Sequence, residues 1–341
     1  MQHRAHVPAH ASRSRWGRAL AVLGAAAAVV LTASMLPLIG HAESDAVALR
    51  PVADHPGAGV VTSAPPPSAP APAASSAKPK PAAAKRAAKA PAKSAKQQVK
   101  AVADDGWRLV WADEFNTGGL DRSKWNLRNG EGRDIDKGCN VSSSANTFVS
   151  GGNLTLRALR KTASCSSQTR QYTQSYLDTI GKHTWTYGRF EMRAKSPNKP
   201  GSSKGLWPAF WLRPADGGNG EIDVTELPGG NDWYAKSTAA IFYDYSPVKQ
   251  DTRIGLPGGG YPGDGFHTYA TEWTADSLTW YIDGAKVWTR DRSTTPFFDK
   301  VFHKPYDIRL NFQVGGWLGD PDASTAFPAD FVVDYVRVYQ R

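Results

Sequence analysis

Three acidic side chains stand close together in residues 220–226, which read GEIDVTE. In a regular β-strand alternate side chains point to the same face, so Glu221 and Asp223 share a face and Glu226 points away from it. One extra residue, a β-bulge near residues 224–225, would reverse the alternation and bring Glu226 back to the other two acids. We therefore expect a bulged strand that gathers three carboxyl groups on one face.

Carboxyl groups gathered in this way suit glycoside hydrolysis. One carboxylate must be ionised to attack the anomeric carbon, and one carboxyl must be neutral to protonate the leaving oxygen. The retaining form of the reaction needs the two groups about 5–5.5 Å apart. Asp223 would lie between Glu221 and Glu226, share a proton with the first and keep the second protonated by repulsion. The alternatives are a solvated acidic strand or a calcium site built from carboxylates.

An aromatic strand is predicted shortly before the acids. If residues 205–212, GLWPAFWL, form a strand, Trp207 and Trp211 point to the same face. Indole rings beside carboxyl groups suit the stacking of sugar rings, whereas the alternative is that both rings belong to the core. The two segments together favour a site that cleaves a sugar polymer.

The elements that must position these side chains have the pattern of strands. From Trp107 onward, short runs of β-branched and aromatic residues alternate with polar ones and are bounded by turn residues. Gly151-Gly152 and Asp283-Gly284 lie between alternating runs, as hairpin turns do. No stretch has a sustained 3.6-residue period, so the pattern predicts an all-β sandwich or jelly roll.

The first hundred residues differ in composition from the rest. Residues 1–42 combine a basic start, an apolar run over 19–39 and a small-residue site at 40–42, which is the layout of a secretory signal peptide. The run is also long enough for an uncleaved anchor that would hold the chain on the outer face of the membrane. Residues 43–105, rich in Pro, Ala and Lys, predict a disordered linker. Residues 106–341 hold 11 of the 12 tryptophans and predict one catalytic domain.

Charge and cysteine content bear on partners and compartment. The net charge is +10, but residues 106–341 hold 28 basic and 26 acidic residues, a net charge of +2. This balance does not call for nucleic acid. The basic linker is either a passive spacer or a tether to anionic cell-wall polymer or lipid headgroups. Cys139 and Cys165 predict a disulfide in a secreted protein, the alternative being two separate thiols.

Five motifs spread over the predicted domain carry a family resemblance. They are WRLVWADEF at 107–115, GRFE at 188–191, WPAFW at 207–211, EIDVTE at 221–226 and DYVRVY at 334–339. Together they resemble glycoside hydrolase family 16, the laminarinase and lichenase group, over nearly all of 107–341. The resemblance implies a concanavalin-like β-jelly-roll with a concave open cleft, and an endo-acting, retaining enzyme. It implies Glu221 as nucleophile, Asp223 as its helper and Glu226 as acid/base.

The same resemblance implies residues that bind the substrate. Trp207, Trp211 and Arg189 would line the cleft, and Trp317 and His267 are further candidates for sugar contact. For His267 the alternative is a core histidine held by hydrogen bonds.

A structural calcium on the convex side is also implied, because many relatives carry one. Asp334 would supply the side-chain ligand, and main-chain oxygens near Glu114 and Gly152 would supply others. The reaction itself requires no cofactor.

Two segments depart from the common laminarinase pattern. Residues 227–230, LPGG, replace the usual aromatic or small residues, and residues 311–317, NFQVGGW, keep only the Val-Gly-Gly shape. Both fall where sugar contact is expected, so the exact polysaccharide stays open. The sequence predicts a secreted, monomeric endo-hydrolase of β-1,3- or mixed β-1,3-1,4-glucan. The alternatives are a galactan or bacterial exopolysaccharide as substrate, or a non-catalytic glycan-binding module, against which the three acids argue.

Overall fold

The computed structural model describes residues 106–244 and 248–341. The predicted signal peptide or anchor at 1–42, with its apolar run 19–39, lies outside the described residues, as does the predicted linker at 43–105. Within the described ranges, no helix is long and apolar enough to cross a membrane.

Strands make up about half of the described chain. In chain order they are β1 Arg108–Asp113, β2 Asn126–Leu127, β3 Gly138–Asn140, β4 Thr147–Ser150, β5 Asn153–Ala158, β6 Ala163–Cys165, β7 Gln168–Arg170, β8 Tyr172–Asp178, β9 Gly188–Lys195, β10 Leu206–Pro214, β11 Glu221–Glu226, β12 Lys236–Phe242, β13 Lys249–Gly255, β14 His267–Trp273, β15 Ser277–Ile282, β16 Ala285–Asp291, β17 Tyr306–Val314 and β18 Ala329–Gln340. The helices are a 3-10 turn at Trp233–Ala235 and α1 at Phe298–Val301.

Two large, mainly antiparallel sheets contain almost all of these strands. The front sheet has the order β13-β12-β11-β10-β17-β8-β2, with β3 beside β8. The back sheet has the order β16-β15-β14-β9-β18-β5-β4, with β1 beside β18, and β6 and β7 form a separate hairpin. The predicted all-β jelly roll is confirmed.

Alternation along the strands gives each sheet a core face and an outer face. In β10, Phe210 and Leu212 are fully buried, whereas Trp207 and Trp211 point the other way and stay partly exposed. The core between the sheets consists of buried aromatic and aliphatic side chains, among them Phe190, Met192, Ile222, Phe312, Val336 and Val338. Because each such side chain contributes roughly 1.5–3 kcal/mol on burial, the pattern decides which face of β10 meets solvent.

Both predicted hairpin turns are present. Gly151-Gly152 joins β4 to β5 and Asp283-Gly284 joins β15 to β16, and all four residues have positive φ, from 49° to 79°. Two-residue turns with positive φ match the twist of the strands they connect, and glycine adopts that conformation at little cost.

The predicted disulfide between Cys139 and Cys165 is confirmed and ties β3 to β6. It stands at the base of the 131–137 loop, the segment between β2 and β3. Lys137 at the end of this loop donates its main-chain N–H to Val314 O of β17 over 2.8 Å. The loop is thus fixed at the disulfide and against the front sheet.

Candidate active site

The predicted bulge lies in β11. Asp223 and Thr225 are opposite consecutive residues of β10, so Val224 is the extra residue, and the register to β12 shifts at the same place. Val224 and Thr225 are both buried. Because two successive side chains turn to the core, Glu226 returns to the outer face that carries Glu221 and Asp223.

The three carboxyl groups meet at one place on that outer face. All three border a central cavity of about 30 Å³. Glu221 and Glu226 also border a neighbouring cavity of about 470 Å³. The acids therefore line a common groove, as the sequence predicts.

Glu221 has a cation beside it. Arg213 Nη1 donates a hydrogen bond to Glu221 Oε2 over 3.3 Å, and both side chains are largely buried. Burial raises the pKa of Glu221 to about 8, the Arg213 charge opposes that shift, and the Glu226 charge adds to it. The ion pair thus offsets part of the cost of ionising Glu221, whose ionised form is the one that attacks carbon.

Glu226 has an indole as its polar neighbour. Trp207 Nε1 donates a hydrogen bond to Glu226 Oε1 over 2.9 Å. Burial raises the pKa of Glu226 to about 7, and the hydrogen bond from Trp207 opposes this shift. A carboxyl group with a pKa near neutrality can deliver a proton and take one back, as an acid/base must.

Asp223 is the third member of the trio and is buried. Burial raises the pKa of Asp223 well above its usual range, and the charges of Glu221 and Glu226 raise it further. Three carboxylates so close together cannot all be ionised at neutral pH, because each charge disfavours the others. This repulsion favours a shared proton, and the sharing of a proton between Asp223 and Glu221 stays a prediction.

A hydrogen bond from the back sheet reaches the bulged strand through the core. Trp280 of β15 donates from Nε1 to the main-chain oxygen of Asp223 over 2.7 Å. Its ring is almost fully buried and packs on Trp288, with the ring centres 4.5 Å apart. The carbonyl that it holds stands directly before the bulge, where the regular ladder is interrupted.

Tryptophan side chains line the groove beside the acids. Trp207, Trp233 and Trp317 border the 470 Å³ cavity, which we call the tryptophan cavity. Trp317 is 48% exposed and contacts Trp207 and Trp233 edge to face, at 5.8 and 5.0 Å between ring centres. The structure places the predicted Trp207 and Trp317 here and adds Trp233, which the sequence pattern did not single out.

A third cavity, of about 360 Å³, lies on the other side of the trio. Arg128, Arg133 and Arg309 border it, and we call it the arginine cavity. Trp211 lines its wall, with Nε1 donating to Asn311 Oδ1 over 2.7 Å. The groove crosses the strands from β13 to β8, five strand spacings or about 24 Å, with the acids between its two larger cavities.

Arg133 links the parts of this groove. It borders all three cavities, hydrogen-bonds Gln313 of β17, and lies over the ring of Trp207 at 5.5 Å. Its charge lowers the pKa of each carboxyl group of the trio. No sequence signal identifies it, because the 131–137 loop carries no periodic pattern. Asn311 and Gln313 also border the groove, and the alternation of polar and apolar residues in β17 could have identified them from the sequence.

The prediction that Arg189 and His267 line the cleft is wrong, because their strands belong to the back sheet. Arg189 of β9 binds Glu191 over 2.7 Å and Glu272 over 2.9 Å, away from the carboxyl trio. His267 begins β14, and its ring nitrogens contact Asp283 at 2.7 Å and Asp264 at 3.3 Å. Neither residue borders the three cavities of the groove.

Residues 227–230, LPGG, do not lie at the groove, where sugar contact was expected. Leu227 is 1% exposed and packs in the core, and residues 228–230 border none of the three groove cavities. The segment leads directly into the 3-10 turn that begins with Trp233. Trp233 donates its main-chain N–H to Gly230 O over 2.9 Å, which links the segment to a residue of the groove.

The residues predicted to bind calcium lie on the back sheet. Asp334 stands at a register shift of β18, and Arg193 donates to its Oδ2 over 2.5 Å. Glu114 pairs with Arg337, and Gly152 lies in the β4–β5 turn. No described set of three or more His, Cys, Asp or Glu side chains is arranged to hold a metal ion. Calcium prefers six to eight oxygens, so a site here would depend on main-chain oxygens, and it stays a prediction.

Comparison with known proteins identifies relatives of the chain. A family model for glycosyl hydrolases family 16 matches residues 136–337. Beta-glucanase from Rhodothermus marinus is 36% identical over 258 residues, 69% of this chain and 85% of the relative. Glucan endo-1,3-beta-glucosidase A1 from Niallia circulans is 32% identical, over 69% of this chain and 38% of that longer protein. The laminarinase catalytic domain from Thermotoga maritima superposes with a TM-score of 0.61 at 30% identity, over 69% of this chain and 98% of that one. With a bulged carboxylate strand on the floor of its groove, the chain belongs to glycosyl hydrolases family 16 and is a glycoside hydrolase.

Proposed function

We propose that the chain is a secreted, retaining endo-glycosidase that hydrolyses β-1,3-glucan or mixed β-1,3-1,4-glucan. The observation that carries the proposal is the bulge in β11, which gathers Glu221, Asp223 and Glu226 in the middle of a groove. The names of the relatives from Rhodothermus marinus and Niallia circulans, which specify glucan hydrolysis, support the substrate class.

In the first step, the Glu221 carboxylate attacks the anomeric carbon and the bond from that carbon to the glycosidic oxygen breaks. Glu226 transfers its proton to the departing oxygen, which leaves as a sugar hydroxyl. Arg213 stabilises the ionised form of Glu221 that makes the attack. After this transfer Glu226 is a carboxylate, and the indole N–H of Trp207 stabilises it.

In the second step, water attacks the same carbon from the side that the leaving group vacated. The Glu226 carboxylate takes the proton of this water, and the bond between the sugar and Glu221 breaks. Two inversions restore the β-configuration. Proton sharing with Asp223 lets Glu221 leave as a carboxylate without adding a third full charge to the trio.

Attack within the polymer is supported by the space on both sides of the acids. The tryptophan cavity and the arginine cavity hold about 470 and 360 Å³ and can accept sugar units on either side of the cleaved bond. Stacking on the indole rings suits the flat faces of sugars.

Secretion is supported by the predicted signal peptide and by the disulfide, since disulfides persist in oxidising compartments. We further propose that the enzyme acts as a monomer and that the basic linker keeps it near anionic cell-wall polymer.

The nucleophile is tested with Glu221→Gln on a β-1,3-glucan. We expect kcat to fall at least ~10³-fold while glucan binding persists, because the amide cannot form the covalent intermediate. The exposed Asp276→Asn change is the matched control and should leave kcat within about twofold. NMR of the first products from wild type should show the β-anomer. An α-anomer, or an active Glu221→Gln enzyme, would rule out the two-step scheme.

A further inference from the structure

The arginine cavity has an unusual wall for a site that binds a neutral polymer. Three guanidinium groups, those of Arg128, Arg133 and Arg309, border its 360 Å³. Their side chains are 34%, 50% and 17% exposed, so each is open to the groove to some extent. The tryptophan cavity also has three cations at its wall, but three acids balance them there and three indoles and Phe242 cover much of the surface.

Two of these arginines are held by buried acids on the same face of the front sheet. Arg309 Nε donates to Asp307 Oδ1 over 2.5 Å, and Arg128 Nε donates to Asp178. Both aspartates are buried, and neither borders the cavity, whereas both arginines do. The ion pairs fix the orientation of the guanidinium groups through one edge and leave their other N–H donors at the wall.

Arg133 differs from the other two because it comes from the 131–137 loop. Its Nε is 3.5 Å from Asp136, a buried acid that also accepts a hydrogen bond from Gln174. The other carboxylate at the wall is the half-exposed Glu131. At the cavity wall itself three guanidinium groups thus face two carboxyl groups, since Asp178 and Asp307 lie outside the lining, and Arg133 stands between this cavity and the catalytic trio.

We propose that the arginine cavity binds a sugar unit that carries an anionic oxygen group, a carboxylate or a sulfate ester, next to the bond that is cleaved. The proposal rests on the proposed function and narrows its substrate class to a charged β-linked polysaccharide. Planar guanidinium groups bind such groups with paired, charge-assisted hydrogen bonds that a neutral hydroxyl cannot match. Arg133 would separate the negative charge of the substrate from the negative charge of the trio.

The test compares one β-1,3-glucan backbone in three forms: unmodified, lightly carboxymethylated and lightly sulfated. With the full-length wild-type protein at low NaCl, we expect kcat/KM for at least one modified form to exceed that for the neutral form about tenfold, the gain from one charge-assisted hydrogen bond. The gain should shrink at high NaCl, because salt screens exposed charges. The form that shows the gain identifies the group as carboxylate or sulfate.

Variants assign the gain to the cavity. Arg133→Gln should lower the ratio of kcat/KM for modified over neutral glucan at least fivefold, and effects on the shared chemistry cancel in this ratio. Arg309→Lys keeps a cation beside buried Asp307, so it preserves the fold, and the loss of the planar fork should also lower the ratio. Arg292→Gln, on an exposed loop, is the matched control and should leave the ratio within twofold.

A wild-type enzyme that prefers the neutral polymer, or a ratio that neither Arg133→Gln nor Arg309→Lys changes, would overturn the inference and leave the glucanase proposal standing. Failure to cleave any of the three polymers would overturn the proposed function and this inference with it.

Discussion

At the scale of single residues, the two glutamates of β11 differ in their neighbours rather than in their chemistry. Glu221 has the guanidinium of Arg213 beside it, and Glu226 has the indole N–H of Trp207. A cation stabilises a carboxylate more than a neutral donor does. Burial raises the pKa of both, to about 8 for Glu221 and about 7 for Glu226, so the division of roles, with the nucleophile at Glu221 and the proton carrier at Glu226, stays a prediction.

The raised pKa of Glu226 predicts a pH dependence of stability. Its pKa is about 7 in the folded protein, against 4.5 for an ordinary glutamate, so the native state holds a proton that the unfolded chain releases. This contribution is fully present below pH 4.5 and is lost as the pH rises to 7, which lowers the free energy of unfolding by up to about 3 kcal/mol. The neutral Glu226→Gln variant lacks this loss.

Urea unfolding of wild type and Glu226→Gln at pH 5 and pH 8 measures the difference. The variant should gain stability relative to wild type as the pH rises, while the glutamine can still accept the hydrogen bond from Trp207. Parallel pH curves for the two proteins would show that the folded-state pKa of Glu226 is not raised.

At the scale of elements, the single extra residue in β11 decides whether there is an active site. Deletion of Val224 restores strict alternation, which turns Glu226 toward the core. We expect activity on β-glucan to fall at least ~10³-fold, since the acid/base leaves the groove. Val224→Ala is the control: it keeps the bulge, costs roughly 1–3 kcal/mol of stability and should keep most of the activity. Activity assays and circular dichroism on both variants separate loss of the site from loss of the fold.

The same scale shows what the sequence could predict. The bulge could be predicted because Glu226 is out of phase with Glu221 and Asp223 in a regular strand. The turn residues were enough to predict the hairpins at Gly152 and Gly284. Alternation says which residues share a face but not which of two sheets a strand joins, so Arg189 on β9 was placed in the cleft. Arg133 could not be found, because its position depends on the contact of its loop with distant Val314.

At the scale of the whole molecule, the Cys139–Cys165 bond connects segments 26 residues apart and fixes the base of the 131–137 loop. Closing a loop of this length stabilises the folded state by about 3–4 kcal/mol through the unfolded chain. The double variant Cys139→Ser/Cys165→Ser should therefore lose about this much in urea unfolding. Reducing agent should produce the same loss in wild type and none in the variant. Equal stability of oxidised wild type and variant would contradict the expectation.

The Trp280 hydrogen bond to the Asp223 carbonyl joins the two halves of the sandwich at the catalytic strand. The side of the protein that never touches sugar thereby helps to set the position of the reacting groups. Random substitutions that retune turnover should accordingly be found behind the active site as well as around it, and libraries restricted to the groove would miss them. Transplanting the groove onto another scaffold would also have to carry this indole along.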